Sequence, residues 1–148
     1  MKQISSEVEI NASPERVWQI LTDFSELPDW NPFIRSAQGD LNVGSRLKVY
    51  IKASKGMGMT FKPTVLKAEA NRELRWVGRF LMPGLMDGEH SFTIEPLEGD
   101  NVRFVQSESF TGVLVPLMSA MGAFKNAHIG FEEMNVALKQ RSEKSITK

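Results

Sequence analysis

The stretch Leu117-Met118-Ser119-Ala120-Met121-Gly122-Ala123-Phe124-Lys125-Asn126-Ala127-His128-Ile129-Gly130-Phe131-Glu132-Glu133-Met134-Asn135-Val136-Ala137-Leu138 decides the fold. Within it Leu117, Met121, Phe124, His128, Phe131, Asn135 and Leu138 recur at alternating steps of four and three residues. That spacing places side chains on one side of an α-helix, and the run predicts a single helix of about six turns. Lys125, Glu132, Glu133 and Lys139 fall on its outer side. A helix with a continuous apolar stripe must bury it, so the rest of the chain has to supply an apolar surface of matching length.

Working backwards from the helix, the period changes to two. Leu47, Val49, Ile51 and Ala53 alternate with Lys48, Tyr50 and Lys52, and Met59, Phe61 and Val65 read as one further strand. Leu74, Trp76, Gly78 and Phe80 alternate with Arg75, Val77 and Arg79; Phe92 and Ile94 oppose Ser91 and Thr93; Val102, Phe104 and Phe110 share a face with Gln106 and Glu108. This is the pattern of an antiparallel meander with one buried and one wet face. At the other end of the chain, Ile4, Ser6, Val8 and Ile10 alternate with Ser5, Glu7 and Glu9 in a first strand. Ser13-Pro14-Glu15 then opens a short helix carrying Val17, Ile20 and Leu21, and a further turn sits near Glu26 to Asp29. The order strand, two short helices, strands, long helix predicts an α+β domain whose sheet curves around the last helix.

Composition excludes several function classes. With 148 residues, no repeats and no linkers, the chain reads as one domain, 1–148. It has no cysteine, which removes disulfides, thiolate metal sites and cysteine nucleophiles. Eighteen basic residues balance eighteen acidic ones, leaving no surplus to displace counterions from a nucleic acid. The longest apolar run, Val113 to Met118, is far short of the ~20 residues that span a bilayer, so no stable membrane insertion is expected. The first residues lack an apolar signal segment, which predicts a cytoplasmic protein, a monomer or homodimer. Only Arg141–Lys148 are polar enough to fray.

The loops divide by chemistry. One set, at 39–44, 71–72 and 98–101, is short and polar; the other, at 56–58, 81–88 and 112–117, is apolar and bounded by glycine or proline. Apolar loops gathered at one end mark a mouth or a contact surface. Met57, Met59, Met82, Met86, Met118, Met121 and Met134 fall on or near that end and the interior, where unbranched side chains suit an adaptable apolar pocket.

The run Ala12-Ser13-Pro14-Glu15-Arg16-Val17-Trp18, with Leu21-Thr22-Asp23-Phe24 and Leu27-Pro28-Asp29-Trp30-Asn31-Pro32-Phe33, resembles the SRPBCC (START-like) superfamily. Within it the polyketide cyclase/dehydrase and lipid-transport group is most similar, and Phe131 to Lys139 fits that group's closing helix. The resemblance implies the helix-grip fold: a seven-stranded antiparallel sheet gripping a C-terminal helix around a hydrophobic cavity. It implies a ligand and leaves its identity open, since fold does not fix chemistry.

Four polar residues share faces that otherwise point inward: His90, Gln106, Glu108 and His128. With Phe61, Trp76, Phe92, Phe104, Met121 and Phe124 they form the expected lining of a site for a small hydrophobic ligand, such as a lipid, an isoprenoid or a polyketide-like molecule. The alternative is a cyclase or dehydratase with His90 or Glu108 as general base on an enolisable carbonyl. No metal site and no cofactor are expected: two histidines 38 residues apart without cysteine make a poor zinc site, Gly56-Met57-Gly58 is not a nucleotide loop, and no G-x-S-x-G is present. Asn135 reads as a structural residue bonding backbone.

Overall fold

A computed structural model describes residues 1–80, 82 and 84–144, the side chain of Phe80 excepted. The expected first strand is β1 (Lys2–Ile10), with Ile4 and Ile10 buried. Helix α1 (Pro14–Thr22) starts where the sequence says it must: Ser13 Oγ accepts the Arg16 amide at 3.1 Å, and Pro14 fills a first-turn position whose N–H would have no partner. A 3-10 turn (Phe24–Glu26) leads into α2 (Leu27–Trp30).

Among the described residues, eight strands follow the antiparallel rule, in two sheets. β1, β5 (Thr64–Glu69), β6 (Glu73–Phe80), β7 (Met86–Leu97) and β8 (Asn101–Thr111) make one sheet in the order β1-β8-β7-β6-β5. β2 (Ile34–Gln38), β3 (Lys48–Ile51) and β4 (Met59–Phe61) make the other, in chain order. The single seven-stranded sheet is therefore corrected. The cause lies between Met59 and Val65, expected as one strand. Pro63 has no N–H for a ladder and stops it. Residues before it pair with β3, and residues after it pair with β6. The seam is still bonded, through Leu47 N–H to Pro63 O and Val65 N–H to Ser45 O, both at 2.9 Å.

The closing helix is also two pieces. α3 (Val115–Ala120) ends at Met121, Gly122 turns through a left-handed φ of 79°, and α4 (Ala123–Glu143) runs on from there. Hence Leu117 and Met121 do not extend the buried stripe. They are 55% and 68% exposed. From Phe124 onward the stripe holds: Phe124, Phe131, Met134 and Leu138 are buried against the sheet. The expectation of fraying from Arg141 is corrected too, because α4 continues through Glu143 with Ser142 buried; residues 145–148 lie outside the described ones. This end is tied down. The Arg16 guanidinium donates to the carbonyls of Ser142, Arg141 and Lys144, each at 3.3 Å, where cations suit a helix terminus. Glu143 accepts from Lys139 Nζ at 2.6 Å and the Asn11 amide at 2.7 Å, and these bonds hold its carboxyl below the usual range.

Gly130 sets how closely α4 approaches the loop before β2. A Cβ there would come within 2.7 Å of Phe33 Cε1, and Phe33 is buried edge-on against Phe131 at 5.6 Å. In an exposed helix Gly→Ala gains up to about 1 kcal/mol. Here overpacking costs about 1–3 kcal/mol and wins. Gly130→Ala is expected to lower stability by about 1–2 kcal/mol in urea unfolding. A stabilised variant would mean that Phe33 yields.

Candidate functional site

The period-two pattern puts His90 on β7 and Gln106 and Glu108 on β8, all on the face that α4 covers. Strand register sets His90 opposite Glu108 and Gln106 opposite Phe92. Asn135 of α4 reaches down to them. The result is one buried polar chain: Asn135 Nδ2 donates to Ser6 Oγ at 3.3 Å, Gln106 Nε2 donates to Asn135 Oδ1 at 2.8 Å, and Gln106 Oε1 accepts from His90 Nε2 at 3.0 Å. Because Gln106 presents its carbonyl oxygen to the ring, Nε2 carries the hydrogen, leaving Nδ1 toward Glu108 Oε1 at 3.3 Å. Gln106 is fully buried, Asn135 and His90 nearly so.

Around this chain the walls are aromatic. The His90 ring stacks on Phe92 at 4.3 Å and meets Phe131 at 4.9 Å and Trp76 at 5.7 Å. An imidazole held at one nitrogen by an amide and facing a carboxylate with the other can pass a proton between Nδ1 and the carboxylate. Gly88, opposite Phe110 in the register, makes room for that carboxylate: a Cβ on Gly88 would collide with Glu108 Oε2. The carboxylate is the far end of a flexible side chain, so Gly88→Ala is expected to cost under about 1 kcal/mol while pushing Glu108 off His90. Imidazole nitrogen shifts of His90 by NMR check this; shifts identical to the parent protein's would mean the pair survives.

Beside the chain lies a small space of about 10 Å³, lined by Leu21, Leu27, Leu74, Phe92, Met134 and others, together with Asn31 and Trp76. Trp76 and Phe92 thus touch His90 and also line this space. About one water molecule fits it. At the end of the molecule where β6, β8 and α3 stop, Val113 N–H bonds Gly84 O at 3.1 Å and Leu114 N–H bonds Leu85 O at 2.9 Å, joining two apolar loops. The third, at 56–58, lies against Asn126 at the start of α4. Exposed Met57, Met59, Met82, Val113, Leu117 and Met121 ring that end. Of the expected gates, 86–88 belong to β7 and 115–117 to α3, and Leu81 and Pro83 lie outside the described residues.

The sequence-derived site residues divide accordingly. His90, Gln106, Glu108, Trp76 and Phe92 come together; Phe104 is buried 6.4 Å from Phe92, and Phe61 meets Trp76 edge-on at 6.5 Å. Phe124 packs on Phe110 at 4.6 Å, nearer the rim. Two assignments are corrected. Met121 is no wall residue, since it caps α3 in solvent. His128 does not point into the interior: its Nε2 donates to the Ser5 carbonyl at 3.0 Å, and its side chain is 40% exposed beside Glu132. β1 is an edge strand, and His128 and Lys139, which bonds the Glu9 carbonyl at 2.9 Å, cover its unpaired acceptors. His90, Glu108 and His128 therefore do not converge, and among the described residues no three His, Asp or Glu side chains are placed to hold a metal ion. The sequence missed Asn135 as a member of the polar chain, although an amide inside an apolar helical stripe is the signal that could have found it. It also missed Ser6 and Asn31.

The family described as polyketide cyclase/dehydrase and lipid transport matches residues 1–143. Among solved structures, the chain is similar to the Zhui aromatase/cyclase from Streptomyces sp. R1128, with TM-score 0.78 and 13% identity over 99% of this chain and 96% of that one. It is also similar to a START superfamily protein from Mycobacterium smegmatis, with TM-score 0.69 and 23% identity over 95% and 97%. A protein from Thermus thermophilus gives TM-score 0.73 and 17% identity over 95% and 97%. At such identities the likeness carries the START-like fold alone. No curated protein matches the sequence significantly. Among the described residues, no helix is long and apolar enough to cross a membrane.

Proposed function

The chain belongs to the polyketide cyclase/dehydrase and lipid-transport family, and on that premise we propose that it binds a small hydrophobic ligand between the sheet and α4 in the cytoplasm. A lipid, an isoprenoid or a polyketide-like molecule fits this reading. The observation that carries it is the apolar rim. Met57 is 92% exposed and Val113 73%, alongside Met121 and Leu117, at the one end where three loops and α3 meet. Apolar side chains gathered this way lose nothing when a hydrophobic molecule passes over them. The space inside is too small for such a ligand, so binding requires interior side chains, Met134 among them, to repack. Each Å² of apolar surface covered contributes about 25 cal/mol before ordering costs.

Native mass spectrometry tests the reading. A stoichiometric added mass, released on denaturation, is expected either as purified or after incubation with palmitate or 2-ethylnaphthalene. A bare mass in every case would overturn it.

A second reading rests on the His90–Glu108 contact at 3.3 Å. A proton leaving the carbon beside a ketone can be taken up by this pair. The enolate carbon then bonds to a second carbonyl carbon, and the pair returns the proton to the resulting alkoxide. This is a ring closure needing no other reactant. Glu108→Gln is expected to abolish such turnover while sparing ligand binding. Unchanged turnover in that variant would remove Glu108 from the chemistry.

A further inference from the structure

Among the described residues, two of the buried side-chain N–H groups that lack a hydrogen-bond partner belong to residues lining one interior space. The first belongs to Asn31, which ends α2 immediately before Pro32. Its Oδ1 accepts the backbone amides of Phe33 at 2.9 Å and Ile34 at 2.8 Å. Both partners are donors, so the side-chain oxygen must face them and the NH₂ must face away. Asn31 is 4% exposed, and its Nδ2 has no partner. The second is the indole Nε1 of Trp76, a residue 2% exposed and likewise without a partner for that nitrogen. Buried donors in folded proteins almost always find an acceptor, so two orphans call for an explanation.

Both residues line the same small space of about 10 Å³. Its other walls include Leu27, Ile34, Leu74 and Met134, which bring no oxygen or nitrogen side-chain acceptor. A space with two donors and apolar walls selects an atom that only accepts. A carbonyl oxygen has two lone pairs and no hydrogen. Water or a hydroxyl brings an O–H that the lining side chains leave without an oxygen or nitrogen partner, and that loss sets it behind.

We infer that Asn31 Nδ2 and Trp76 Nε1 form an anchoring site for the carbonyl oxygen of the bound hydrophobic ligand. This deepens the binding reading above and rests on it. Trp76 and Phe92 line the anchor and also touch the His90 ring, so the anchor is one aromatic side chain removed from the polar chain.

Three size-matched probes test the site: 2-acetylnaphthalene, 2-ethylnaphthalene and 1-(2-naphthyl)ethanol, titrated against protein with ¹⁵N-labelled indoles. The ketone is expected to bind about tenfold tighter than the hydrocarbon, with the alcohol close to the hydrocarbon. It should also shift the Trp76 indole N–H signal, assigned by its loss in Trp76→Phe, where the hydrocarbon does not bring it to the same position. In Trp76→Phe the ratio of ketone to hydrocarbon affinity should fall toward one. Equal affinities for ketone and hydrocarbon, or a preference that survives Trp76→Phe, would overturn the anchor and leave ligand binding standing. An ordered water bonded to both donors in a crystal structure with the ketone bound would also overturn it, in favour of a hydration site. If none of the three probes binds, the anchor is overturned, while the binding reading is decided separately by the native mass of the protein as purified and with palmitate.

Discussion

Phe131→Ala is expected to lower the free energy of unfolding by about 3–5 kcal/mol, the largest single-residue effect in the interior. Phe131 is fully buried at the middle of α4, with Phe33 at 5.6 Å on one side and His90 at 4.9 Å on the other. Truncation removes the ring's transfer free energy and opens a void, which costs about 24 cal/mol for each Å³ that the walls cannot refill. They refill poorly here. Gly130 holds α4 against Phe33, and His90 is fixed by Gln106, so neither wall can advance without breaking another contact. Urea unfolding should show a lower midpoint with an unchanged slope. The void should also admit benzene, raising the melting temperature of the variant by mass action and leaving the parent protein unmoved. A loss under about 1 kcal/mol would mean that α4 and the sheet close over the gap.

Why some of this was legible in the sequence and some was not follows from the range of the forces involved. β1 and α1 are local matters: alternation from Ile4 to Ile10, and Ser13-Pro14 at a helix start, each act over a few residues. The facing of His90, Gln106 and Glu108 is equally local, because side-chain parity along a strand admits only two answers. Pro63 was a different case. Met59, Phe61 and Val65 keep the same parity across it, so the pattern hides a break that only the missing N–H creates. Gly122 hides in the same way within a stripe whose spacing runs through it. His128 had the right spacing for the interior, yet the sheet ends at β1, and at that edge a polar ring finds a backbone carbonyl instead. The Asn31 and Trp76 donors are 45 positions apart in the chain, and no periodicity joins them. Only the folded chain brings the two residues to the lining of one space.

Gln106→Met separates stability from purpose in the polar chain. Methionine matches glutamine in length and shape, so little packing is lost. What is lost is the acceptor for His90 Nε2–H and the donor for Asn135 Oδ1, both buried. Each orphan costs about 1–3 kcal/mol, so the variant is expected to lose about 2–5 kcal/mol in urea unfolding. Replacing the members together should behave otherwise. With His90→Phe and Asn135→Leu added, the groups left without their partners are the half-buried Ser6 hydroxyl and the Glu108 carboxylate, which can still turn toward water, and an apolar set of similar shape can be nearly neutral for the rest. The triple variant is therefore expected to be more stable than Gln106→Met alone, a non-additivity of about 1–3 kcal/mol between residues in direct contact. If it is instead worse by the sum of its parts, the chain is there to hold the sheet to α4. If stability returns, holding the fold together does not account for the three buried polar residues His90, Gln106 and Asn135 in an aromatic interior. Their retention then points to what they face: a ligand to be oriented, or a proton to be moved between His90 and Glu108.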